Sequence, residues 1–207
     1  MKSTAALLVL IVSIAGTGGA QQPSTGVRLA VPNFIVGRWA SRSASSLYAG
    51  YSAGPAGGFV GLVVNPRSGY RELLGGVMTR VRYRDQAATL GLAYADATES
   101  TYLQAYVVPS LLVGPAAVSG TIELYLPLEE PGTHQLDINP IAVVLHPASW
   151  IGVGGIYAAG MGEGDRPRHR AGPTVEIGVP KGSIKAEFLR NFTLGYYEAR
   201  MSFEAAF

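Results

Sequence analysis

The sequence predicts an all-β chain folded as one closed, antiparallel barrel of about twelve strands that spans a membrane. Three observations predict it. Counting back from Phe207, every second residue is apolar (Phe207, Ala205, Phe203, Met201, Ala199, Tyr197), while Glu204, Ser202, Arg200 and Glu198 stand among those between. A period of two over about ten residues is a strand with one apolar and one polar face, and a tilted strand of that length crosses a bilayer. Second, charged residues make up 14% of the chain, against about a quarter in an ordinary soluble domain. Low charge without long apolar runs is what alternating lipid-facing and lumen-facing residues produce. Third, the chain divides into short strand-like segments between turn signals, and no helical stripe of useful length interrupts them.

At the N-terminus, Met1-Lys2 precedes an apolar run over 5–15 and a small-residue stretch over 16–20. This reads as a cleaved secretory signal peptide over 1–20, since a membrane helix needs about 18 or more apolar residues. Residues 21–28 are expected to form an N-terminal extension and 29–207 the barrel domain. Strands are expected near 29–39, 45–53, 57–65, 72–84, 87–97, 100–113, 116–128, 134–145, 150–161, 170–179, 182–191 and 194–207, or ten strands if the first two segments are not membrane strands. The alternation is clearest where Val77, Thr79, Val81 and Tyr83 oppose Met78, Arg80, Arg82 and Arg84. It is equally clear for Ile122, Leu124, Leu126 and Leu128, for Val175, Ile177 and Val179, and for Ile184, Ala186 and Phe188.

Connections alternate too. Tight turns are expected near 54–57, 84–86, 114–115, 146–149 and 180–182, and longer loops near 40–44, 66–71, 97–99, 129–133, 161–170 and 190–193. Short turns on one side and longer loops on the other are expected of a membrane barrel. Trp39, Tyr83, Tyr94, Tyr102, Trp150, Tyr197 and Phe207 fall near strand ends, where aromatic girdles meet headgroups. Pro32, Pro109, Pro127, Pro140 and Pro173 fall inside expected strands. Each removes a ladder donor and so marks a bulge or a strand end, or else an edge strand of a soluble sandwich.

An alternating strand closed by a terminal phenylalanine, in a chain that opens with a secretory leader, resembles bacterial outer-membrane β-barrel proteins as a class. The resemblance implies residence in the outer membrane among its lipids, with lipopolysaccharide as a further contact. It also implies escort by periplasmic chaperones and insertion by the barrel-insertion machinery, which would read Phe207 together with Phe203 and Met201.

In such a barrel the polar faces point into the lumen. The lumen-lining candidates are Arg80, Arg82, Glu123, Glu176, Lys185, Glu187, Glu198 and Arg200. Lumen charges tune permeation, so one reading is a small pore for passive passage of small solutes or ions. The other is a non-conducting structural or adhesive barrel, its charges paired across strands and its interior filled by tyrosines such as Tyr106 and Tyr125. Small residues at Gly91, Ala93, Ala95, Gly152 and Gly154 favour an open interior. Arg80, Arg82 and Arg84 form either a basic track or partners for acids such as Glu123, Glu176, Glu187, Glu198 and Glu204. Arg166, Arg168 and Arg170, in the loop over 162–170, suit phosphate recognition at an outer rim.

Other classes fare worse. The chain has no cysteine, which removes disulfide, thiolate and zinc-thiolate chemistry. His134, His146 and His169 are the only histidines, each at or beside a connection, with His134 near Asp137. No catalytic residue, metal site or cofactor is expected. Without Lys2 the chain carries 15 basic and 14 acidic side chains, which gives no argument for nucleic-acid binding. A soluble secreted β-protein that binds a lipid or a protein partner shares the leader and the alternation, but it does not require charge this sparse.

Overall fold

The computed structural model describes residues 28–29, 33–129 and 132–207. The expected signal peptide and most of the expected N-terminal extension lie outside the described residues. A short strand β1 (Arg28–Leu29) is followed by twelve long ones: β2 (Phe34–Ala40), β3 (Ser45–Ala53), β4 (Ala56–Asn65), β5 (Tyr70–Tyr83), β6 (Gln86–Ala97), β7 (Thr101–Val113), β8 (Ala116–Pro127), β9 (Gln135–Ala148), β10 (Ile151–Gly162), β11 (Arg168–Val179), β12 (Gly182–Asn191) and β13 (Tyr197–Ala206). Each of β2–β13 pairs antiparallel with its neighbours in sequence, and β13 returns to β2 through the ladder Arg200↔Ala40 to Ala206↔Phe34. The result is a closed barrel of twelve strands. Closure leaves every strand of the ring paired on both sides, the condition for exposing a sheet to lipid.

The two ends of the barrel differ as expected. At one end the strands are joined by two-residue turns at 54–55, 84–85, 114–115, 149–150 and 180–181. Gly54 and Gly114 take positive φ (76° and 61°) ahead of a proline, a pairing that reverses a hairpin in two residues. At the other end the loops over 41–44, 66–69, 98–100, 128–134, 163–167 and 192–196 are longer. In the last of these, the Asn191 side chain accepts hydrogen bonds from the backbone N–H of Thr193 (3.1 Å) and Leu194 (2.8 Å). This holds residues 192–196 as a loop, so the final strand begins at Tyr197, not 194.

The alternation sorts side chains as predicted. Val60, Leu62, Leu73, Val77, Val175, Ile177 and Met201 are exposed on the outer wall, while Glu72, Leu74, Met78, Thr174, Glu176, Glu198 and Arg200 are buried inside. Trp39, Tyr83, Tyr94, Trp150, Tyr197 and Phe207 are exposed near strand ends. Tyr102 departs from that group: it faces the interior, 7% exposed, edge-on to Tyr125 at 5.2 Å.

The prolines sit where the ladder is interrupted. Pro109 pairs with Ala88 of β6, but pairing with β8 skips from Val107 to Ser110. Pro173 pairs with Gly155, whereas pairing with β12 skips from Ala171 to Thr174. Pro140 lies at register shifts against both β8 and β10, and Pro127 ends β8. Pro32 lies outside the described residues. A closed barrel therefore accommodates prolines without a free edge, by opening one side of the ladder locally.

Two boundary expectations change. The first expected strand, 29–39, divides into β1 and β2, with β1 pairing against Val81 and Arg82 on β5. This part of β5 runs past the end of β4, whose pairing stops at Thr79, and so has a ladder edge available. The strand expected over 134–145 continues to Ala148, because the register shift between Ile151 and Val153 absorbs His146 and Pro147.

Candidate functional site: the barrel interior

Inward-facing positions build a lumen with two unlike halves. On one side Phe34, Phe59, Leu74, Met78, Tyr102, Tyr106 and Val108 form an apolar cluster. Ala93 and Ala95 lie beneath it, almost completely buried, and the Tyr106 ring covers Gly91 closely enough to collide with any added Cβ. The small residues of β6 thus receive large neighbours and do not widen the lumen. This corrects the expectation drawn from them, because interiors close-pack wherever side chains of complementary size face each other.

The opposite wall, on β11–β13, is mainly polar, with Leu189 its one buried large apolar side chain among the described residues. Buried Glu198 accepts from Arg170 Nη1 at 3.1 Å and Arg200 Nη2 at 3.3 Å, and its Oε1 also accepts from the Ser43 backbone N–H (3.0 Å) and from the Ser43 hydroxyl. Further along, Lys185 Nζ stands 3.5 Å from Glu176 Oε2, with Glu187, Ser202 and Glu204 beside them lining the inner cavity.

Between the halves a hydrogen-bonded strut crosses the lumen. Arg38 Nη1 on β2 donates to Asn139 Oδ1 on β9 at 3.1 Å, and Asn139 Nδ2 donates to Glu123 Oε2 at 3.3 Å. Glu123 also accepts from Tyr125 at 3.0 Å and from Gln104 at 3.2 Å. In the ring order, β2 lies diametrically opposite β8, so the chain of bonds joins facing walls. Above it, toward the longer loops, is a vestibule of 630 Å³; below it is an inner cavity of 190 Å³. Arg38, Tyr48, Glu123 and Asn139 line both spaces and form the neck between them.

Of the eight residues read from sequence, Glu123, Glu176, Glu198 and Arg200 are buried in the interior. Lys185 and Glu187 share its polar wall. Arg80 and Arg82 lie on the β5 face that carries buried Met78, toward the two-residue turns. Arg84 leaves that row: it takes φ 52° in the turn and stacks on Tyr83 at 5.2 Å. Met201, Phe203 and Phe207 are exposed on the outer wall.

Arg170, placed in a rim loop from sequence, belongs to β11 and turns inward to Glu198. Arg38, Glu72, Gln104, Asp137 and Asn139 line the interior but were not singled out, although alternation alone places the first three on inward faces. His134 pairs with exposed Glu163 at 3.2 Å, while Asp137 accepts from Gln135 at 2.9 Å. The spacing G-x-S-x-G occurs at 50–54, which corrects the reading of the sequence as free of a nucleophile motif of this type. It ends β3 and enters a hairpin turn where a nucleophile elbow would need a helix, and the Ser52 hydroxyl reaches only the Gly54 carbonyl at 3.5 Å. Among the described residues no group of three metal-ligating side chains occurs.

No protein-family model matches the chain, and no curated protein matches it. Solved structures do. The KdgM porin in complex with disordered oligogalacturonate superposes with a TM-score of 0.57 at 9% identity, over 86% of this chain and 99% of that one. The NanC porin superposes with a TM-score of 0.55 at 12% identity, over 84% and 98%. At such identities the likeness is one of fold. Together with closure, the outer apolar wall and the charged interior, it shows that this chain has the twelve-stranded closed β-barrel fold that these porins have.

Proposed function

We propose that the protein is a narrow outer-membrane channel for passive passage of small solutes, and not an enzyme. The observation that carries this reading is the polar wall of β11–β13, which runs from the vestibule past the neck to the inner cavity. A solute has charged and hydroxyl groups to follow in both spaces, as permeation requires. Arg80, Arg82, Glu123, Glu176, Lys185, Glu187, Glu198 and Arg200 are the lining residues in this reading. The porin fold of the neighbours supports it.

A second reading is favoured by one feature. The Arg38–Asn139–Glu123 strut and the apolar cluster fill much of the cross-section, as in a structural barrel that does not conduct. Planar-bilayer recording decides between them: discrete conductance steps in potassium chloride support the channel, and a silent bilayer containing correctly folded protein overturns it.

Met201, Phe203 and Phe207 are the proposed contact for the insertion machinery, with outer-membrane lipid around the apolar wall and lipopolysaccharide at the rim. Replacing Phe207 with glutamate is expected to lower the amount of inserted barrel in the outer-membrane fraction; unchanged levels would refute that assignment.

A further inference from the structure

The vestibule sorts its charges by sign. Arg38, Arg168, Arg170 and Arg200 line it together with Glu72, Glu99, Glu123 and Asp137, four of each sign. The arginines come from β2, β11 and β13, while Glu72 and Glu123 come from β5 and β8 and Glu99 from the loop over 98–100. In the ring order β5 faces β11 and β8 faces β2. Glu72 thus stands across from Arg170, and Glu123 across from Arg38. Asp137, on β9, extends the acidic side toward β10. The lining charges are equal in number and polarised from wall to wall, with Glu198 seated behind Arg170 and Arg200.

Each wall holds its charges in fixed positions. Arg200 is 4% exposed, and its Nε and Nη1 find no hydrogen-bond acceptor among the described residues; the same holds for Arg38 Nε. Glu198 fixes the Arg170 and Arg200 guanidinium groups on this wall. On the facing wall, Tyr70 donates to Glu72 at 2.6 Å, and the Tyr70 and Tyr102 hydroxyls lie 3.3 Å apart. That wall therefore offers an oriented carboxylate, a group that attracts a cation.

From this arrangement we infer that the vestibule binds small zwitterions, an α-amino acid being the simplest, with the carboxylate on the arginine wall and the ammonium on the Glu72 wall. Its 630 Å³ falls in the range of small-molecule sites. A solute with one sign of charge satisfies one wall and is opposed by the other, whereas a dipole aligned with the field satisfies both. The inference rests on the channel reading only for its biological use; the site itself is a property of the folded barrel.

The test is calorimetric titration of the detergent-solubilised barrel with three probes on one skeleton: glutamine, the anion N-acetylglutamine and the cation glutamine methyl ester. Wild-type protein is expected to bind glutamine about tenfold more tightly than either relative. Glu72→Gln is expected to move the preference toward the anion, and Arg170→Gln toward the cation. Those opposite shifts cannot come from a shared folding defect, and folded fraction is read separately from heat-modifiable mobility. Tighter binding of N-acetylglutamine than of glutamine, equal binding of all three, or no binding would overturn the proposal. Conductance measured on the same preparation separates this from the channel reading: binding without conductance removes the channel and keeps the site.

Discussion

Arg38 illustrates what a single lumen side chain does. Its guanidinium reaches from β2 to Asn139 on the far side of the barrel, and the neck between the two cavities is built on that bond. Arg38→Ala is expected to raise single-channel conductance by about twofold, since lumen constrictions govern permeation; an unchanged current would place the restriction elsewhere. Glu198 carries the complementary load. It is completely buried and holds two arginines, so Glu198→Gln leaves both positive charges inside without the carboxylate they share. Breaking a buried pair from one side costs about 3 kcal/mol or more, which is expected to lower the temperature at which the folded band converts to the unfolded one in SDS. Both Glu198 and Arg200 are legible from the period-two pattern of the last strand. Arg38 and Asn139 as a pair are not, because nothing local records that residues 101 positions apart face each other.

At the scale of strands, aromatic residues lie directly across from glycines. Phe203 pairs with Gly37, Phe34 with Gly50, Tyr48 with Gly61 and Tyr106 with Gly91. In each case the ring occupies the space where a Cβ would stand. Such pairs fill the gap left by glycine and pin the register between neighbouring strands. The Phe203–Gly37 pair sits on the β13–β2 ladder that closes the ring, which gives Phe203 a packing role beside its proposed part in insertion. Gly37→Val is expected to displace the Phe203 ring and destabilise the seam by about 1–3 kcal/mol. The check is the fraction of SDS-resistant barrel after mild heating; a wild-type fraction would show that the seam tolerates the side chain. Strand count and most boundaries could be read from turn residues and alternation. The pairing of aromatic with glycine could not, because it depends on register, which is set between strands.

For the whole molecule, the alternation implies an outer wall in hydrocarbon and an inner wall in water. Val77, on the outer wall near the middle of β5, is 64% exposed. Val77→Arg is expected to cost about 2–4 kcal/mol if the residue faces the bilayer midplane, measured as reduced folding into lipid vesicles; a neutral effect would argue against membrane burial of this wall. Period-two patterning, sparse charge and turns of two alternating lengths are local properties, and they were enough for the sequence by itself to determine an all-β chain of about twelve strands with apolar faces outward. Closure between β13 and β2, the split of the interior into an apolar half and a polar wall, the neck, and the facing of arginine against carboxylate were decided only by the tertiary structure. A strand's pattern states which side of the sheet a residue occupies; which residue lies opposite across a lumen depends on strand number, register and curvature, and those exist only once the ring has closed.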